Sequence, residues 1–468
     1  MELNQKPENN NEISGNKSRL LIISGFLGAV FILVIVRLLF VSLISKRVDS
    51  PVNLPGTPTL RGIIYDRNMN RLAISVLRYS IAIRPKKIRG DMANFKNDFL
   101  IPLSSITGKK PSEILEIIEK HYEASLVYLV RKIQLLPAQM QQLLTMKGVI
   151  LLKEYDRRYP YENLASHVIG ITGREDRGLE GIEYRFDDIL KQKQDLLGAD
   201  IILSIDRDIQ QAVEEELKFA VLKENAKSGT VVIMNVENGD ILSLANYPDY
   251  NIQDYRNLSR EEFAARFKNL AVSSSDEIGS SFKAFTISIL AELNLIDLNK
   301  VYDCRGYYKV EGGETIKDTA VFGKIKFPQV VKVSSNVGMI EAAMTIPKRK
   351  YYDFLQMLGF MEKTGIELPY ENSKVFRSYD MFRNQSRASV AIGQEIGVTP
   401  IQVVTAAAAL ANGGYLVEPR IVLEIRRDNT VVKKFEKKVK RKIFSEQTNK
   451  MVWELLSKVL EKGGTGYH

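Results

Sequence analysis

The chain reads as one membrane-spanning helix, then a mixed α+β segment, then a larger α/β domain. Three observations point to this order. Residues 20–36 carry no charge, and the apolar run resumes past Arg37 as far as residue 44. Between about 50 and 200, short strand-like runs alternate with polar helical ones such as PSEILEIIEKHYEASL (111–126). Beyond 201, the strand-like runs TVVIMNV (230–236) and DILSLAN (240–246) precede a long helical stretch. That order suits a sheet with helices on both sides.

Residues 1–19 are polar and aperiodic and read as a tail, cytoplasmic by the resemblance given below. The run 20–45 holds about 25 residues, against the ~20 that a bilayer needs. Arg37 lies toward one end, where its head group reaches the interface. The rival reading is a cleaved signal peptide. The run is too long for a signal-peptide core and lacks a small-x-small cleavage site, so an uncleaved anchor is expected. Flanking charge does not orient it, because Lys17 and Arg19 balance Lys46 and Arg47. Residues 50–200 form the mixed segment and 201–468 the α/β domain.

A chain of 468 residues has room for two or three domains and a sizeable core. With 45% hydrophobic and 26% charged residues it has an ordinary globular composition. The net charge of +10 raises nucleic acid as a partner. The densest basic cluster, EKKVKRK (436–442), comes without a zinc finger, a phosphate loop or an RNA-binding signature. It reads as a solvated edge or loop, so no nucleic acid is expected, only a mild attraction to anionic polymer or lipid headgroups. A single cysteine, Cys304, excludes an internal disulfide. The three histidines, His121, His167 and His468, share no ligand spacing, so neither a metal nor another cofactor is expected.

The chemistry concentrates in NLAVSSSDEIGSSFKAFT (269–286). Ser280 and Lys283 stand three apart at the start of a helix, so hydroxyl and amine share one face. The run 282–296 is apolar on nearly every side and reads as a buried helix. Burial disfavours an ammonium, so Lys283 can serve as a base and activate a serine without a histidine. Gly279 lets a substrate approach the backbone closely, and the helix N-terminus offers N–H groups to a developing oxyanion. The spacing alone specifies little, since Ser14 and Lys17 repeat it in the polar tail. A second piece, VKVSSNVGMIEAA, supplies Ser334, Ser335 and Asn336. Short hydroxyl and amide side chains there can relay a proton and hold a peptide amide. They also make good helix caps, and the two roles are compatible.

With these motifs in view, the chain resembles class B penicillin-binding proteins over residues from about 20 to 468. RGIIYDRNMNRLA (61–73), RRYPYENLASHVIG (157–170) and GLEGIEYRFDDIL (178–190) resemble the family's three non-catalytic motifs. LSIDRDIQ (203–210) resembles the opening of its catalytic domain, and SGTVVIMNVENGDILSLANYP (228–248) its first hairpin. AIGQEIGVTPIQVVTAAAALANGG (391–414) is similar to the stretch that packs behind the site. Departures are Ile278 for a usual proline, Ser281 for a common threonine, and Met69 for a glycine.

The resemblance implies an α/β transpeptidase domain of the penicillin-binding and serine β-lactamase type, a pedestal over 50–200, and one membrane helix with the bulk outside the cytoplasmic membrane. It implies that Ser280 attacks a D-alanyl-D-alanine carbonyl, Lys283 takes its proton, and Ser334 relays a proton to the departing D-alanine. Asn336 holds the substrate amide, and Gly279 and Ser281 border the substrate. The implied partners are stem peptides on a lipid-linked precursor, β-lactams, and division-complex membrane proteins including a glycan polymerase. The short distance from Arg61 to Ser280 leans toward the septal branch over the elongation branch. An inactive division-complex scaffold and a membrane β-lactam sensor are the alternatives from other classes; the three pedestal motifs argue against the sensor.

The third family motif, K-T-G, belongs on a strand facing the serine. The literal Lys363–Thr364–Gly365 follows the helical segment YYDFLQMLGF and precedes IELP, which marks it as a helix end and a decoy. In the family the strand follows a GGTG turn, here Gly463 to Gly466. The strand is therefore expected to be missing from these 468 residues, and the chain as written is expected to be inactive and poorly soluble.

Overall fold

The structure is a computed structural model and describes residues 37, 60–173, 176–191, 197–373 and 376–467. The expected membrane span lies outside the described residues except for Arg37. Among the described residues, no helix is long and apolar enough to cross a membrane.

Two compact units emerge. The first takes Ile81–Leu129 and Gln142–Ile150 among its residues. Its helix Pro111–Lys120 is the polar helical run read from sequence. Proline at its first turn, Glu113 near its N-terminus and Lys120 near its C-terminus all favour it there. Ile114 and Ile118, one turn apart, are fully buried, beside the buried Leu100 and Leu103 of the helix Leu100–Thr107.

The second unit takes Pro58–Ser80, Val130–Gln141 and Leu151–His468. Its sheet runs Thr430–Lys434, Val422–Arg427, Asp200–Leu203, Ile64–Tyr65, Arg71–Ile83 in spatial order. Asp200–Leu203 pairs parallel with Ile64–Tyr65 and antiparallel with Val422–Arg427. The strand that sequence places at the opening of the catalytic domain thus lies beside the first non-catalytic motif. Packing does not break at 200; one apolar cluster joins Ile64 and Leu72 to Ile201, Leu203, Ile241 and Val422.

The expected sheet with helices on both sides is found in the run 229–247. It is a two-stranded hairpin of Gly229–Met234 and Ile241–Tyr247. The helix Arg207–Lys223 packs on it through Leu217 and Val221, and the helix Pro400–Ala408 packs on it as well. The basic cluster forms the strand Val439–Lys442, paired with Tyr415–Val417, with Lys440 and Arg441 engaged by Lys363 O and Glu362.

The helix Lys283–Glu292 is buried along its length, as its all-round apolarity requires. Phe282, Phe285, Ile287 and Leu290 join Val330, Met339, Ile340, Phe360, Val452 and Leu455 in a second large core. The helix stops at Glu292, and Asn294 turns left-handed at φ 54°, so the apolar run to 296 is not one helix. Truncating a side chain such as Ile287 here costs roughly 2–5 kcal/mol. The site therefore stands on a rigid element.

Candidate active site

Ser280 sits on a 3₁₀ turn, Gly279–Phe282, that leads into the buried helix. Gly279 enters it at φ 56° with open space around it, a conformation that costs glycine little. Gly393, from the stretch read as packing behind the site, lies against this turn. Gly279 N–H donates to Gly393 O at 3.2 Å. A Cβ on Gly393 would fall 2.0 Å from Gly279 O, so only glycine fits. Thr286 Oγ1 donates to Ala391 O at 3.1 Å, a further tie to the same stretch.

Ser280 and Ser281 are exposed, whereas Lys283 is 4% exposed. All three line a cavity of about 330 Å³ together with Ala284, Ser334, Met339 and Thr465. Lys283 Nζ donates to Ser334 O at 2.6 Å, Ser334 Oγ at 3.1 Å and Asn336 Oδ1 at 2.7 Å. Its three N–H donors thus meet three acceptors on the S-S-N turn, rather than Ser280, in this state. Burial pushes the Lys283 ammonium down to about 8, against the pull of the Asp318 carboxylate.

The S-S-N turn divides its work. Ser335 is fully buried and caps the helix Asn336–Ala343, accepting from Gly338 N at 3.1 Å. Ser334 is held at φ 55°, unusual for a residue with a Cβ, with its carbonyl and hydroxyl toward Lys283. Asn336 Nδ2 donates to Lys317 O at 3.0 Å, which leaves Oδ1 for Lys283. The capping role read from sequence falls to Ser335, while Ser334 and Asn336 face Lys283. Lys317 and Asp318 carry no motif, and sequence gave no signal for them.

Lys363–Gly365 lies elsewhere. It is not in a strand and lines no part of the Ser280 cavity. Thr364 N and Oγ1 both donate to Glu371 Oε1 at 2.6 Å, so its hydroxyl is spent on a loop. The Gly463–Gly466 turn contributes Thr465, whose N–H donates to Lys332 O at 3.3 Å. Among the described residues, none that lines the cavity belongs to a strand.

The three non-catalytic motifs converge on one buried carboxylate. Glu183, fully buried, accepts from Arg61 Nε at 2.5 Å and from Arg157 Nε at 2.7 Å. Arg61 also reaches Asp187 at 2.6 Å. Met69 of the first motif has φ 65°, the left-handed turn where the resemblance calls for glycine.

Comparison with known proteins agrees. The family profile described as "Penicillin binding protein transpeptidase domain" matches residues 229–468, and that of the "Penicillin-binding Protein dimerisation domain" matches 57–199. Stage V sporulation protein D of Bacillus subtilis is 29% identical over 96% of this chain and 73% of its own. The probable peptidoglycan D,D-transpeptidase PenA of Neisseria meningitidis is 28% identical over 90% of this chain and 73% of its own. Penicillin binding protein 3 of Mycobacterium tuberculosis has a similar fold, with TM-score 0.66 at 24% identity, covering 88% of this chain and 77% of that one. The chain belongs to the penicillin-binding protein transpeptidases, as a class B member that also carries the family's dimerisation domain.

Proposed function

We propose that this chain is a peptidoglycan D,D-transpeptidase that works through an acyl ester on Ser280. The observation that carries the reading is the buried Lys283 amine, in one cavity with Ser280 and held by Ser334 and Asn336. Family membership and the similarity to PenA, a probable peptidoglycan D,D-transpeptidase, support the same reaction.

The steps follow from the side chains. Lys283, as free amine, takes the Ser280 proton while Oγ attacks the carbonyl between the two terminal D-alanines of a stem peptide. The developing oxyanion lies near the start of the helix, where N–H groups are unspent. The C–N bond breaks, and Ser334 passes a proton from Lys283 to the departing D-alanine. Asn336 holds the substrate amide, while Gly279 and Ser281 border it. The amine of a neighbouring stem then attacks the ester, forming the cross-link and returning Ser280 to its hydroxyl. A β-lactam offers the same carbonyl and stops at the ester.

The finer reading places the enzyme in septal wall synthesis, anchored through residues 20–45 in the cytoplasmic membrane with the catalytic part outside. Its substrate is the lipid-linked precursor, and its partners are division-complex membrane proteins, a glycan polymerase among them. The compact spacing from Arg61 to Ser280 supports the septal branch. Released D-alanine, measured with a stem-pentapeptide donor and full-length protein, tests the reaction. Release is expected from the wild type and not from Ser280→Ala. A Ser280→Ala protein that still supports septation in cells would favour a scaffold instead.

A further inference from the structure

Outside the motifs, one carboxylate organises the site. We infer that Asp318 is a positioning residue: it anchors the Ser334–Asn336 turn so that the turn's acceptors stay aimed at Lys283 Nζ. The inference rests on the reading of Lys283 as the base for Ser280.

Asp318 follows the short strand Thr315–Lys317 and is half-buried. Its Oδ2 accepts from Ser335 Oγ at 2.5 Å and Val337 N at 3.4 Å, and its Oδ1 accepts from Asn336 N at 2.8 Å. These N–H groups begin the helix Asn336–Ala343, where intrahelical partners are lacking and a negative charge is favoured. The neighbouring Lys317 O takes Asn336 Nδ2 and so selects the amide oxygen as the end that faces Lys283. The turn needs such an anchor. Ser334 at φ 55° is strained, and strain of this kind persists only where surroundings over-determine it.

Asp318 also acts through charge. The elements around Lys283 carry other ionisable groups. Glu341 pairs with Lys300, and Lys332 pairs with Glu461. Glu292 accepts from Ser445 and Thr448, and Glu446, Lys450 and Glu454 lie on the facing helix Glu446–Ser457. Lys317 adds a cation beside Asp318. Beside them, the Asp318 carboxylate favours the Lys283 ammonium against burial.

Positioning and charge therefore separate in the test. The second-order rate of acylation by a chromogenic penicillin is measured on full-length protein from about pH 6 to about pH 10. Asp318→Asn is expected to lower the plateau rate at least about tenfold and to move the acidic limb to lower pH, because Lys283 then sheds its proton more readily. Ser335→Ala removes the hydroxyl's bond to Asp318 and its cap on Gly338 N but keeps the charge; it is expected to lower the plateau and leave the limb in place. A limb that stays put in Asp318→Asn, with a rate that falls only with the folded fraction, overturns the inference. If Asp318→Asn does not fold, Asp318→Glu decides it: a normal plateau there overturns the inference, and a lowered plateau with an unmoved limb supports it. An adduct that persists in Ser280→Ala would instead refute the underlying nucleophile reading, so the two failures are distinct.

Discussion

Replacing Glu183 by Gln is expected to destabilise the larger unit by about 3–5 kcal/mol, because it leaves a buried arginine without its counter-charge. The two arginines are not equivalent. Arg61 keeps Asp187 at 2.6 Å as a second carboxylate. Arg157 has no other carboxylate among its described contacts; it donates to Gly62 O at 2.8 Å and Ser75 Oγ at 3.2 Å. Its Nη2 already makes no hydrogen bond among the described residues. Glutamine preserves the volume, so no cavity term enters, and the cost isolates the charge. Asp187→Asn is the control. Asp187 is 24% exposed and Arg61 keeps Glu183, so about 1 kcal/mol is expected there. Urea midpoints at neutral pH, followed by a fluorescence change, give both values. The double variant Glu183→Met with Arg157→Met should recover most of the loss, because removing both charges leaves neither buried alone. Equal costs for Glu183→Gln and Asp187→Asn, or a Glu183→Gln cost under about 1 kcal/mol, would refute the view that one carboxylate ties the three motifs together.

Lys283→Arg keeps the positive charge but cannot give up its proton, so acylation should fall by orders of magnitude while the melting temperature changes little. In the wild type, with the Lys283 ammonium lowered to about 8, the free-amine fraction rises from about a tenth at pH 7 to about nine-tenths at pH 9. The acylation rate should rise by nearly that ratio, and a flat profile would remove Lys283 as base. Folding couples with the same sign: the unfolded lysine holds its proton longer, so the burial penalty is full below about pH 8 and relieved as pH rises toward 10.5. Thr364→Val removes the hydroxyl's bond to Glu371 Oε1 and the one it accepts from Ile366 N, keeps the backbone N–H bond to Glu371, and touches nothing at the cavity. It should cost about 1–2 kcal/mol of stability and leave acylation unchanged, and a slowed acylation would make that K-T-G functional.

What the sequence yields follows the range of the interactions. The shared cavity of Ser280 and Lys283 was legible because the two stand three residues apart beside an apolar run that marks the helix as buried. At Met69 the signal came from the resemblance, which puts glycine where the chain turns left-handed. The 3₁₀ turn under Ser280 was not legible, since it depends on Gly393 approaching from behind. Asp318 was invisible because a lone aspartate in a loop carries no period or spacing, and its value comes from a remote helix end. The pairing of Asp200–Leu203 with both Ile64–Tyr65 and Val422–Arg427 was hidden likewise, as non-local register leaves no mark on a four-residue strand. The Lys363–Gly365 match shows the converse: a local pattern without its tertiary setting, its threonine consumed by Glu371.

The most direct test is the site of acylation. Full-length protein is treated with a penicillin, its intact mass is measured, and the modified residue is located by peptide mapping. The account predicts one adduct, on Ser280, absent from Ser280→Ala and much slower to form in Lys283→Arg. An adduct on another residue, or one that persists in Ser280→Ala, would contradict it.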